Sequence, residues 1–314
     1  MLTDALQATA TGEPAAAVRR APARRRRWHG WTTAIVLALP GLAVFGLFSW
    51  WPMIRSGIMA FQETNLIGGG SWVGLRNFAY VLHDPALPQA VRNTLWFALL
   101  GLVLGFPIPI ALAVFISEQR GWRSTFSVLA YLPAVIPPVV AILLWRVFYD
   151  PSPEGALNAL LQQVGLGPYS WLNSTSLAMP AVVMEVIWAT AGSTTVVYLG
   201  ALSRVGGELY EAAEIDGCGI WKRIWHVTLP QMRGFILVLL LLQLIGTLQV
   251  FTEPFLLTGG GPANSTTTVL MLIYNYAFVY GNFGAAAALS AMLMAVLTLV
   301  AALYLAATRR WSRS

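Results

Sequence analysis

Charge is what this chain has least of: charged residues fill 10% of its 314 positions, where soluble domains carry about 25%. With 57% hydrophobic residues and a mean hydropathy of +0.66, that shortage excludes an ordinary soluble globule and indicates an integral membrane protein. Lysine occurs once, at Lys222, and nowhere follows glycine. A phosphate-cradling loop of the form GxxxxGK(S/T) is therefore missing, so this chain is not expected to hydrolyse ATP. Cysteine also occurs once, at Cys218, which excludes an internal disulfide framework. His29, His83 and His226 are scattered, giving neither a metal-ligand spacing nor a Ser/His/Asp nucleophile arrangement. A net charge of +6 would suggest nucleic acid for a soluble protein. Here the basic residues sit beside apolar runs, so membrane topology accounts for them and no nucleic-acid partner is expected.

What the chain has in abundance is long apolar runs. A spanning helix needs roughly 20 mostly apolar residues to cross about 30 Å of hydrocarbon with its backbone bonds satisfied internally. Six runs qualify, at 34–54, 95–116, 126–149, 180–202, 234–257 and 285–307. A seventh, "VLMLIYNYAFVY" at 269–280, is too short to span and reads as an external or interfacial helix. The first run follows arginines as a signal peptide would, but its bulky "FSWWPMI" exit lacks a small-residue cleavage site, so an uncleaved helix is expected.

The basic residues orient these runs. With an internal N-terminus, fifteen of the nineteen Lys and Arg residues fall on the cytoplasmic side, and the loops at 150–179 and 258–284 contain none. Both termini are expected on the cytoplasmic side of the membrane. Residues 1–30 read as a disordered basic tail, 31–310 as one six-helix domain, and 311–314 as a short cytoplasmic tail.

One cytoplasmic stretch interrupts this apolar chain: "EAAEIDGCGIWKRIWHVTLP" at 211–230. The 205–230 loop should form two short helices broken at Gly217 and Gly219, with Pro230 marking the approach to the fifth span. Glu208, Glu211 and Glu214 share a helical face, while Ala212, Ala213 and Ile215 supply a small apolar counterface suited to a groove on a soluble partner. The stretch resembles the EAA loop of permease subunits in ATP-binding-cassette importers. That pattern is Glu-Ala-Ala, three residues, Gly, nine residues, then Ile-x-Leu-Pro. Here it reads Glu211-Ala212-Ala213, Gly217 and Val227-Thr228-Leu229-Pro230, with Cys218-Gly219 replacing the usual Ala-Ser. "WVGLRNFAYVL" at 72–82, "WRVFYDPSPEGALNALL" at 145–161 and "LTGGGPANSTTTVL" at 257–270 make the chain similar to carbohydrate-type permeases of the maltose and glycerol-phosphate kind.

The resemblance implies an all-α membrane fold of six spans with a cytoplasmic coupling helix. It also implies a homologous second permease, a dimer of ATP-binding subunits that use ATP and Mg, and an extracytoplasmic solute-binding protein delivering a sugar or related solute. No cofactor or metal is expected in this chain. Coupling to the ATPase would fall to Glu211, Ala212, Ala213, Asp216, Gly217, Leu229 and Pro230.

Polar residues inside spans nominate a substrate pathway, because such groups are costly in lipid and face the bundle interior. Gln243 and Thr247 share one face of the fifth span and Gln249 and Glu253 a neighbouring one. In the fourth, Glu185 precedes Trp188 and the run from Gly192 to Thr195. Helix–helix hydrogen bonding, typically around 1 kcal/mol in membranes, accounts for any one of these equally well. Gly284 with Ala288, and Ala287 with Ala291, have small-xxx-small spacing and read as a packing surface. Two other classes remain open: an ion-gradient-driven carrier or channel, and a membrane enzyme.

Overall fold

The computed structural model describes residues 24–64, 70–119 and 121–309, without the side chains of 24–30 and 32. Most of the expected tail therefore lies outside the described residues, as do residues 310–314. From Arg24 onward the backbone is already helical. The chain divides into two compact units at Arg55/Ser56. The first is helical from Arg24; its helix, α1 (Arg24–Met59), runs on into the first residues of the second and is apolar enough over Thr33–Met59 to cross a membrane.

In the second unit, a two-residue antiparallel ribbon pairs β1 (Gln62–Glu63) with β2 (Ser71–Trp72). Helices α2 (Arg76–His83), α3 (Ala86–Glu118), α4 (Arg123–Val135), α5 (Pro138–Phe148), α6 (Ala156–Gln162) and α7 (Ala178–Leu202) follow. Then come α8 (Gly207–Ile215), α9 (Ile220–Thr247), α10 (Thr252–Thr258), α11 (Val269–Val279) and α12 (Phe283–Thr308). Among the described residues five helices are long and apolar enough to span, or six if the bent pair α4 and α5 counts as one.

That pair divides the third span expected at 126–149 at prolines able to kink it: its halves meet at 93°. The cause is Pro137-Pro138, since neither residue offers an amide hydrogen and each forces its predecessor out of the helical region. Ile136 and Pro137 accordingly sit at ψ 130 and 133. The fifth span also differs. Its helix starts at Ile220, well ahead of the apolar run expected from 234, and stops at Thr247 rather than 257. Just beyond its end, the Val250 carbonyl accepts from the Thr268 hydroxyl of another loop at 2.9 Å. Helix α11 is no surface element: Val269, Leu272 and Tyr276 are buried in a cluster with Val81, Ala90 and Ala285–Leu289. Ala285–Ala288 of α12 thus pack inside this chain, where their spacing marked a packing surface for either the bundle or a partner.

Two further clusters complete the core. One joins Phe97, Trp145, Met179 and Val182 with Val250 and Leu257. The other joins Ala113, Ile116, Tyr198, Leu199 and Met232. Gly192, read from sequence as part of a hydroxylated run, lets α4 press against α7: a Cβ there would lie 1.8 Å from the Ala130 carbonyl oxygen.

Candidate functional site

Helix α8 carries the EAA stretch. It ends in a Schellman turn, with the Cys218 N–H donating to the Ala213 carbonyl at 2.9 Å and the Gly217 N–H to Glu214 at 3.0 Å. Gly217 supplies the left-handed residue this turn needs, at φ +69. Gly219 has an ordinary φ of −67 and so plays no such part. The expected second short helix is not separate. Residues 220–223 run through a π-helical turn at Ile224–Thr228 directly into α9, and the wider turn accommodates Pro230 without breaking the helix. Of the expected apolar counterface, Ala213 is buried within this chain, while Ala212 and Ile215 face outward and are open to a partner.

What holds α8 in place is Arg223, a residue the sequence reading did not single out. Its guanidinium is buried, donating to Glu118 at the end of α3 (2.7 Å) and to Glu214 on α8 (2.5 Å). It lies 5.8 Å from the centre of the Tyr210 ring, and the Tyr210 hydroxyl meets that of Thr228 at 3.2 Å. One arginine therefore joins three elements: α3, α8 and the start of α9. Glu211 lines a cleft of about 300 Å³ beside this clamp. Asp216 caps α8, and Leu229 and Pro230 begin the straight part of α9. Beyond the clamp, Ile215, Ile220 and Trp221 are exposed, Ile215 at 86% and Trp221 at 76%.

The polar residues of the spans are only partly brought together. Gln243 donates to the Gly101 carbonyl at 2.7 Å, within the π-helical turn Gly101–Gly105 of α3, and so joins two helices by a hydrogen bond. Thr247 donates to Leu244 of its own helix at 3.0 Å. Gln249 and Glu253 do not share a helical face: Gln249 lies in the turn after α9 and Glu253 in the first turn of α10. Glu185 is buried, with Oε2 lacking any protein partner, as does Nε1 of Trp145 nearby in the core. Trp188 packs edge-on to Trp145 at 5.7 Å. Glu253 lies on the adjacent α10, within electrostatic reach of Glu185. Among the described residues, no three His, Cys, Asp or Glu side chains gather as metal ligands.

A bundle of broken and unbroken apolar helices, with a charged helix clamped at one end and apolar residues left bare beyond it, defines the membrane-embedded subunit of a multi-subunit transporter. The family described as "Binding-protein-dependent transport system inner membrane component" matches residues 105–313, and the chain belongs to it: this is the permease subunit of an ATP-binding-cassette importer. It is 32% identical to the probable ABC transporter permease protein YurN of Bacillus subtilis, over 81% of this chain and 88% of that one. Identity to the arabinooligosaccharides transport system permease protein AraP of the same organism is 30%, over 83% of each. Among solved structures, one chain of a bacterial ABC transporter involved in the import of the acidic polysaccharide alginate superimposes with a TM-score of 0.81 at 29% identity. That match covers 91% of this chain and 98% of the other.

Proposed function

We propose that this permease forms, with a homologous second permease, the path for a carbohydrate, and that α8 is its coupling helix. In this reading residues 31–310 are the membrane domain, the 205–230 loop and both termini are cytoplasmic, and the loops at 150–179 and 258–284 face outward. The distribution of arginines supports that orientation. The observation that carries the reading is the pairing of an exposed apolar tip, Ile215, Ile220 and Trp221, with the buried Arg223 clamp immediately behind it. The tip would dock in an ATP-binding subunit, and the clamp would pass its displacement to α3 at Glu118. Glu211, Ala212, Ala213, Asp216, Gly217, Leu229 and Pro230 would shape that docking.

ATP and Mg act on the partner subunits and not on this chain. Nucleotide drives the cycle only if one permease conformation is favoured by the closed ATPase dimer, since a ligand with equal affinity for both states shifts nothing. A carbohydrate cargo is supported by the relatives whose names state one, arabinooligosaccharides for AraP and alginate for the solved importer. Glu185, Trp188 and Glu253 would contribute to the path, whereas Gln243 and Thr247 would serve mainly to hold α9.

The test is Gly217→Pro in the whole importer. Proline cannot adopt φ +69 and removes the amide that closes the Schellman turn. Membrane insertion should persist while the ATPase fails to co-purify and sugar uptake stops. Normal uptake with normal ATPase recovery would refute the coupling assignment. Labelling of the lone Cys218 by an impermeant thiol reagent added outside intact cells would refute the orientation.

A further inference from the structure

The start of α3, opposite the Glu118 clamp, borders a cavity of about 660 Å³, within the range of roughly 300–1,000 Å³ usual for small-molecule sites. Its wall is one helical stripe, Gln89, Arg92 and Trp96, at i, i+3 and i+7. Facing it are Thr175 and Ser176 from the turn entering α7, with buried Met179 beneath, and the loop around Ser265. This is a built site. Asn93 donates to the carbonyls of Asn264 (2.7 Å) and Thr267 (2.9 Å), fixing that loop against the helix.

Three chemical features of the cavity point one way. The Arg92 guanidinium donates to the neutral Gln89 side chain at 3.1 Å and has no carboxylate partner among the described residues, and no acidic residue lines the cavity. Thr175 and Ser176 bring hydroxyls to the facing wall. Trp96, one turn from Arg92, is exposed on the same stripe. A fork-shaped cation matches a carboxylate bidentately, hydroxyls match hydroxyls, and an exposed indole packs on an apolar ring face. A single guanidinium balances one negative charge, whereas a phosphate monoester carries about −1.5 to −2 at neutral pH.

We propose that this cavity is a subsite for a uronic-acid unit of a carbohydrate, with the carboxylate on Arg92, the ring against Trp96 and the hydroxyls on Thr175 and Ser176. The proposal rests on the sugar-import reading above and narrows it from sugars in general to acidic ones.

Equilibrium dialysis of the purified full chain in nanodiscs tests it, with three matched pairs of labelled sugars: galacturonate and galactose, glucuronate and glucose, mannuronate and mannose. The wild type should bind at least one acid tenfold or more tighter than its neutral partner. Arg92→Gln should erase that ratio and leave neutral-sugar binding unchanged, Arg92→Lys should restore part of it, and Trp96→Ala should weaken both members together. Unaltered thermal midpoints in these variants of exposed residues exclude misfolding. The proposal is overturned if no acid is preferred by the wild type, if Arg92→Gln keeps the preference, or if galactose 6-phosphate binds more tightly than galacturonate. It is equally overturned if Arg92→Gln impairs capture of an extracytoplasmic binding protein while uronate binding is unchanged, for then the partner of Arg92 is an acidic side chain of that protein. ATPase co-purification with the wild-type chain separates the two readings: its loss would sink the importer assignment and leave the uronate ratio standing.

Discussion

The two ends of α3 are held by different chemistry. At its start, Asn93 and Thr94 bond neutral backbone groups: the carbonyls of Asn264 and Thr267 accept from Asn93, and the Thr94 hydroxyl accepts from the Val269 amide at 3.0 Å. Nearby loops repeat the device. Asn158 is fully buried and holds Asp150, Ser152, Tyr169 and Trp171 through five hydrogen bonds, and the three threonines at 266–268 bond carbonyls of their own and neighbouring loops. At the other end a single arginine joins three elements through ion pairs whose acids are partly in water. A network of short neutral side chains is insensitive to salt and shares its load among many bonds. An ionic clamp is one residue deep and weakens as the surrounding water and ions change. The first kind of construction suits a frame and the second a joint, which is where a motor subunit would have to push.

If this contrast is right, the largest effect on stability belongs to the frame. Asn158→Ala removes a buried amide and the five hydrogen bonds it makes to part-buried loop groups. Each bond is worth about 0.5–1.5 kcal/mol net, and because water can reach some of the groups released the total is about 3 kcal/mol. Thermal unfolding of the detergent-solubilised protein should show a marked fall in midpoint, equal at low and high salt. An unchanged midpoint would mean the frame is not held as described.

Arg223→Ala should come next, at about 2 kcal/mol, because the buried guanidinium is lost but both acids it leaves can turn to water. The loss should be local. Hydrogen exchange ought to accelerate across Gly207–Ile215 and leave the amides around Thr266–Thr268 as protected as before. High salt should loosen the wild-type helix in the same place. Uniform acceleration through the whole bundle would erase the distinction between joint and frame.

How much of this could be read from sequence follows the same division. The spans were legible because length and apolarity are properties of one contiguous run, and the bend of α4 against α5 was at least foreshadowed by Pro137-Pro138. The end of α9 was not legible, since Leu248, Val250 and Phe251 continue the apolar run. Just beyond that end, Val250 accepts a hydrogen bond from Thr268, in another loop. The clamp was illegible for a similar reason. Glu118 and Arg223 are 105 positions apart, and neither lies in a pattern that singles it out. The hydrogen-bonding asparagines and threonines look like ordinary loop residues until the fold brings distant carbonyls to them. Gln243 was visible as a polar residue in lipid, but only the structure shows that it joins α9 to the π-helical turn of α3.

A smaller effect separates the two glycines of the joint. Gly217→Ala places a Cβ at φ +69, costing about 1 kcal/mol. Gly219→Ala, at φ −67 and with nothing within 4 Å of the new Cβ, should be close to neutral. Exchange rates in α8 should separate the two variants; equal behaviour would show that the Schellman turn does not set the position of the helix.

The smallest change in stability should come from the tip itself, and there the functional consequence is greatest. Ile215→Ser and Trp221→Ser remove largely exposed apolar surface, so unfolding midpoints should move by no more than about 0.5 kcal/mol equivalent. A bare apolar residue is ordinary when single. Three of them, Ile215, Ile220 and Trp221, placed around one turn and backed by a buried arginine, expose apolar surface where a free-standing protein would gain from polar side chains. Docking into an ATP-binding subunit buries that surface, so the double serine variant should fold, insert and retain slow exchange across α8, yet lose the ATPase on purification. If instead it lost α8 protection and kept the ATPase, the roles would be exchanged: the tip would be part of the frame, and the partner would grip the acidic face of Glu208 and Glu211.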